Sequence, residues 1–278
     1  MQASSVFRKR TIILTTISAA CLVVSACGGG STDPVPTPPS TATPPPTATA
    51  PSTPTPTPTP TPISSNCDTS GNVFSVSGNT AQMKNNIYGP DGNSVAMTQT
   101  NDFVVSGGKA FKGASGLIEN AQTTNITSGT GSGTVAITRT YYDFGASESK
   151  VYGATNSTTV MGLAVTATIS NEPVVPWPNN PALNTPYTNS YTVTTETLGT
   201  SRSVPTTETR TFSTETITTL FGTFDACKVK SDSTVNGVTT TSYSWQVGSG
   251  RLKGHVLKSI NGAGVRTLES TSLTVNGS

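Results

Sequence analysis

The chain has 278 residues, a formal net charge of +2 and a pI near 8.3, with only 11% charged and 6% aromatic residues. Three of its sixteen basic residues and none of its fourteen acidic ones fall in the first 26 positions, so the rest of the chain is close to neutral. That balance excludes an electrostatic footprint for nucleic acid and a polybasic membrane patch.

The N-terminus opens with a basic cluster, Arg8-Lys9-Arg10, followed by an uncharged apolar run from Thr11 to Ala26. That run is short for a membrane span and has the layout of a secretory signal. It ends in Val24-Ser25-Ala26-Cys27. This segment resembles the lipobox of bacterial lipoproteins. The resemblance implies a signal peptide over residues 1–26, cleavage before Cys27, diacylation of that cysteine, and attachment to the membrane through the N-terminal lipid. Cys21, after Ser18-Ala19-Ala20, lacks the branched apolar residue three positions earlier that Val24 supplies for Cys27. Gly28 stands where an inner-membrane lipoprotein commonly carries Asp, so the resemblance points to the outer membrane, facing the periplasm or the cell surface.

Residues 27–62 read as the lipidated cysteine and a linker. Ser31 to Pro62 is almost entirely Pro, Thr, Ser and Ala, with strict Thr-Pro alternation at its end. Such a stretch has no apolar area to offset chain entropy, and its prolines favour extended geometry. As a polyproline-II spacer its 32 residues would reach about 100 Å.

Residues 63–278 are expected to form one β domain. Threonine is heavily used, helical periodicity is missing, and Asn and Gly punctuate the chain as hairpin turns do. Expected strands are Asn72–Val76, Phe103–Val105, Thr134–Phe144, Val160–Ser170, Tyr191–Thr197 and Thr207–Phe221, with Ser128 to Gly133 a hairpin end. A four-strand meander follows: Cys227–Val235, Val238–Val247, Leu252–Ile260 and Val265–Val275. Its clearest signal is Asn236-Gly237, the preferred pair for a type I′ turn. The fold expected is all-β, a single antiparallel sheet meander curled into a half-barrel or barrel-like sandwich. A strict two-residue turn would pair Trp245 with Lys228 and Tyr243 with Lys230. Either lysine stems cover the rings, or a bulge turns Trp245 inward; the alternation of Tyr243, Trp245 and Val247 favours the bulge.

Gly222-Thr-Phe-Asp-Ala-Cys-Lys-Val229, with the hairpin to Trp245-Gln-Val-Gly-Ser-Gly250 and the entry segment Pro181 to Thr197, resembles uncharacterised exported β domains of Gram-negative bacteria. The resemblance covers about the last hundred residues, departs from the pattern at Arg251, and implies a topology without catalytic residues.

With Cys21 removed and Cys27 lipidated, Cys67 and Cys227 remain in an exported chain, and a disulfide between them is expected, with two free buried thiols as the alternative. His255, the single histidine, sits in an expected strand with no nucleophile motif beside it, and no Gly-x-Ser-x-Gly elbow occurs. No catalytic residue, metal site or cofactor is assigned. The best binding candidate is the stiff segment Pro173 to Tyr187, read as a loop. In it Trp177 could stack on a sugar or partner, with Asn179, Asn180 and Tyr187 beside it, or fold back to plug the domain. The plug is the expectation, because an exposed indole forfeits about 2 kcal/mol of burial. The function expected is a lipid-anchored outer-membrane or cell-surface lipoprotein with a non-enzymatic binding or structural β domain, whose partner is an envelope polymer or protein. The alternatives are an envelope-polymer hydrolase using carboxylate catalysis, or a carrier of an apolar ligand.

Overall fold

The computed structural model describes residues 67–276 apart from 161, 162 and 251. The signal segment, Cys27 and the linker therefore lie outside the described residues. Twelve strands follow one another: β1 Thr80–Tyr88, β2 Val95–Phe111, β3 Ala114–Gly129, β4 Val135–Phe144, β5 Glu148–Val160, β6 Leu163–Pro178, β7 Pro186–Thr197, β8 Thr200–Thr219, β9 Gly222–Val235, β10 Val238–Val247, β11 Val256–Asn261 and β12 Arg266–Val275. Each pairs antiparallel with its neighbour, and β12 returns to pair with β1, so the expected curled meander closes completely into a barrel.

Direct cross-strand partners share a face of the sheet, so the register tells inside from outside. In β1 the buried residues alternate as Ala81, Met83, Asn85 and Ile87. From Ile87 one rung runs through Leu268, Ser259, Ser244 and Val229 to Phe212. From Ala81 another runs through Phe103, Gln122, Thr138, Asn156 and Ala167 to Thr197. The interior is thus apolar toward β1, β12 and β9, and amide- and hydroxyl-rich along β3 to β7. Part of it is cross-bonded: Gln122 Nε2 and Thr124 Oγ1 both donate to Asn101 Oδ1, at 2.9 and 2.7 Å.

Outward positions carry Thr, Ser and charge over much of the wall, with apolar clusters around Trp245, Tyr243, Ile217 and Phe224 and around Phe111, Leu117 and Tyr141. Thr188 pairs with Thr209, Ser190 with Thr207 and Thr194 with Ser203 through side-chain hydrogen bonds of 2.8–3.1 Å. Lys84, Asp102, Glu119, Arg139, Lys228, Lys230 and Asp232 interrupt the outer surface on other strands.

The Asn236-Gly237 turn forms as expected, with φ of 51° and 77°. The expected bulge in that hairpin does not. Val235 pairs with Val238, and the register continues unbroken to Lys228 with Trp245. Trp245 therefore faces outward, beneath Lys228 and Lys258, whose Nζ atoms lie 5.0 and 5.5 Å from the ring centroid. The lysine stems do the covering, and the register shift sits on the other side of Trp245, between β10 and β11.

Other boundaries move. Asn72–Val76 is not a strand: Asn72 caps a 3-10 turn over Val73–Ser75 by accepting from the Phe74 amide. The third strand of the meander begins at Val256, which leaves His255 just ahead of it. Ser128 to Gly133 does close the β3–β4 hairpin.

One end of the barrel is filled by residues 67–76. Val73 and Phe74 pack against Ala81, Met83, Phe103, Leu273 and Val275. Cys67 is disulfide-bonded to Cys227 on the inner face of β9, with Cα atoms 5.2 Å apart and a separation of 160 residues. Lys253 Nζ clasps Asp68 Oδ2 at 2.7 Å. Burial works to raise the Asp68 carboxyl, but its bonds from Lys253 and Ser70 prevail and lower it to about 2.

Candidate functional site

The segment Pro173 to Pro178, expected as loop, is the second half of β6. Its residues pair with β5, from Val175 with Val151 to Pro178 with Glu148. On the opposite side the β6–β7 register stops at Glu172 with Thr192. The sequence explains the stop. Asn189 Nδ2 donates to the Pro176 carbonyl at 2.7 Å, so Pro176 directs its backbone groups toward β7. Pro178, two residues on, does the same. Neither has an N–H to give, and proline in a sheet is confined to places where no ladder bond is needed. The barrel is therefore closed by topology but parted along a seam between Pro173–Pro178 and Pro186–Tyr191.

Two open depressions flank this seam. One, of about 390 Å³, is lined by Ser147, Glu148, Pro176, Pro178, Tyr187, Thr188 and Asn189. The other, of about 460 Å³, includes Glu172, Pro173, Ser190 and Tyr191 in its lining.

Behind the seam stands a charged and aromatic cluster. Trp177 points inward and is 7% exposed. The Arg210 guanidinium lies 3.9 Å from its ring centroid. Arg210 Nε donates to Glu208 Oε1 at 2.8 Å, and Tyr191 Oη donates to Glu208 Oε2 at 3.2 Å. Burial, reinforced by the Glu208 charge, raises the Tyr191 phenol, which keeps it a donor. Tyr142 also faces this chamber, and burial raises its phenol too. Tyr187 and Asn189 are the direct cross-strand partners of Arg210 and Glu208. Tyr187 and Asn189 line the first depression and neighbour the cluster across the β7–β8 ladder, while Trp177, Glu208 and Arg210 themselves stand behind that lining.

Of the residues expected at the site, Trp177 takes the buried position. Asn179 is buried as well: Nδ2 donates to the Gly145 carbonyl, Oδ1 accepts from Ser149 Oγ, and its carbonyl accepts from the Thr69 amide at 2.6 Å. It ties the β4–β5 turn and the N-terminal segment to the end of β6. Asn180 is exposed. Tyr187 packs edge-on against Phe212, and its Oη accepts from the Ala182 amide at 2.7 Å.

Glu208 and Arg210 were not singled out from sequence, although the alternation Thr206-Thr-Glu-Thr-Arg-Thr-Phe212 places two opposite charges on the face of a strand that ends in Phe. His255 is 1% exposed, with Nε2 3.3 Å from Ser270 Oγ. Burial lowers its imidazole to about 4. Among the described residues no three His, Cys, Asp or Glu side chains gather as a metal-binding group. Comparison with protein-family models, with characterised proteins and with solved structures finds no match to this chain.

Proposed function

We propose that this is a lipid-anchored outer-membrane or cell-surface protein whose barrel is a binding module, presented on a Pro/Thr spacer and working without covalent chemistry. The observation that carries the binding part is the cluster behind the seam. Glu208 spends one oxygen on Arg210 and the other on Tyr191. A carboxylate so committed serves to fix an arginine rather than to shuttle protons. A half-buried guanidinium stacked on indole beside an opening in the wall is recognition chemistry. The anchoring part rests on Val24-Ser25-Ala26-Cys27. The polar lining along β3 to β7 favours a polar ligand over an apolar cargo.

Fractionated cells test the anchor: the full chain should partition into detergent, and Cys27→Ser should release it to the aqueous phase. Co-sedimentation with envelope polysaccharide should retain the protein without releasing new reducing ends. Steady release of reducing ends would make it a hydrolase and overturn the binding reading.

A further inference from the structure

We infer that Arg210 is the recognition residue for a carboxylate-bearing saccharide that enters between β6 and β7; this rests on the binding reading above and names its ligand class. The argument begins with the donors of Arg210. A guanidinium offers five N–H groups in a rigid fork that matches a carboxylate bidentately. Here Nε is taken by Glu208, and among the described residues neither Nη group has a hydrogen-bond partner. The side chain is 28% exposed, while its partner Glu208 is 5% exposed. The fork is therefore held from behind, by a buried acid on Nε and an indole under its face, with its two-pronged end unspent. That is a preorganised site in which little rotamer freedom is lost on binding.

Arg210 and Glu208 cancel in charge, and among the described residues no second cation pairs with them, so the free fork rather than net positive charge selects the ligand, and a dianion is disfavoured. The approach sets the remaining chemistry. The depression over the seam is lined by Pro176, Pro178 and Tyr187 beside the hydroxyls of Ser147 and Thr188, the amide of Asn189 and the carboxylate of Glu148, which Lys150 pairs at 3.2 Å. Flat apolar rings edged with hydroxyl and amide groups suit a pyranose, which has apolar C–H faces and polar edges. One side-chain hydrogen bond, from Asn189 Nδ2 to the Pro176 carbonyl, spans the seam at this point. A ligand that supplies its own hydroxyl to the carbonyl releases Asn189 at little cost.

The test titrates the full chain in detergent with glucuronate, with glucose as its neutral counterpart and with acetate as the bare carboxylate, following Trp177 fluorescence in a Trp245→Phe background. Glucuronate should give a saturable change, with glucose and acetate each at least tenfold weaker. Arg210→Lys, which keeps the charge and loses the fork, should weaken glucuronate about tenfold or more. Should Arg210→Lys unfold the barrel, the Arg210 Nε–H resonance of the unaltered protein serves instead; it should shift with glucuronate and not with glucose. Equal binding of glucose and glucuronate, unaffected by Arg210→Lys, would overturn the carboxylate assignment and leave the binding reading standing. Acetate binding as tightly as glucuronate would overturn the saccharide part. No saturable response to any of the three would overturn the inference outright, and the polysaccharide sedimentation above would then judge the binding reading separately.

Discussion

Replacing His255 by Gln should remove a defined part of the pH dependence of stability. The imidazole is 1% exposed and meets Ser270 Oγ, whose single proton has the Val256 carbonyl at 2.7 Å and Asn85 Oδ1 at 2.9 Å as its acceptors. Its folded value of about 4 lies below its ordinary 6.5. Between those limits the unfolded chain binds a proton that the folded chain refuses, so stability falls as pH drops through 6.5 and the loss saturates below about 4. At 1.36 kcal/mol per unit, the full effect is about 3 kcal/mol. Asp68 acts in a separate window: its folded value is depressed, so its contribution is present above about 4 and fades as pH falls toward 2. Urea unfolding of wild type and His255→Gln at about pH 7.5 and about pH 4.5 reads the difference directly. The wild type should lose about 2.5 kcal/mol more than the variant across that interval, most of the full effect. Equal losses, or a histidine resonance titrating near its ordinary value in the folded protein, would refute the reasoning.

Trp177→Ala opens a cavity beneath Arg210 and should cost about 3–5 kcal/mol, lowering the melting temperature by on the order of 10 °C; an unchanged melting temperature would show that the indole is not packed. Asn179→Ala strands the Gly145 carbonyl and Ser149 hydroxyl and should cost about 1–3 kcal/mol by chemical denaturation. Breaking the disulfide with Cys227→Ser should cost about 2–5 kcal/mol, and non-reducing peptide mapping of the unaltered protein should recover Cys67 linked to Cys227. Gly153→Ala should destabilise the wall between β5 and β6 by several kcal/mol. Its φ is 152°, a Cβ there would overlap the Ile169 carbonyl, and Phe111, stacked on Tyr141, already fills the space alongside.

The sequence made the C-terminal half of the barrel readable because its turns announce themselves. Asn236-Gly237 and Asn261-Gly262-Ala263-Gly264 bracket strands whose residues suit a pleated surface. Strands β1, β3 and β5 were missed for a physical reason. Their inward positions include Asn85, Asn120, Gln122, Asn156 and Thr158, so the interior face is nearly as polar as the exterior and the period-two signal fades. Closure of the sheet was equally illegible, since it depends on β12 finding β1 across almost the whole domain. The disulfide followed from cysteine counting. The importance of Pro173 to Tyr187 was visible in its composition, but its form was not. Prolines that look like a loop instead delete the donors from one edge of a strand whose other edge is paired with β5 from Val175 to Pro178. The Glu208–Arg210–Trp177 contact joins residues 31 and 33 positions apart on two strands and has no local signature.

The seam is the feature on which the site depends, and amide hydrogen exchange measured residue by residue on the oxidised barrel tests it most directly. Amides of β9 from Ala226 to Val235 and of β8 from Thr206 to Thr211, paired along both edges, should exchange slowest. Those amides between Tyr187 and Tyr191 that face β6 should exchange orders of magnitude faster than their neighbours facing β8, giving an alternating pattern along β7. Uniform slow exchange across Tyr187 to Tyr191, matching β8 and β9, would mean that β6 and β7 are zipped along their full length and that no lateral site exists.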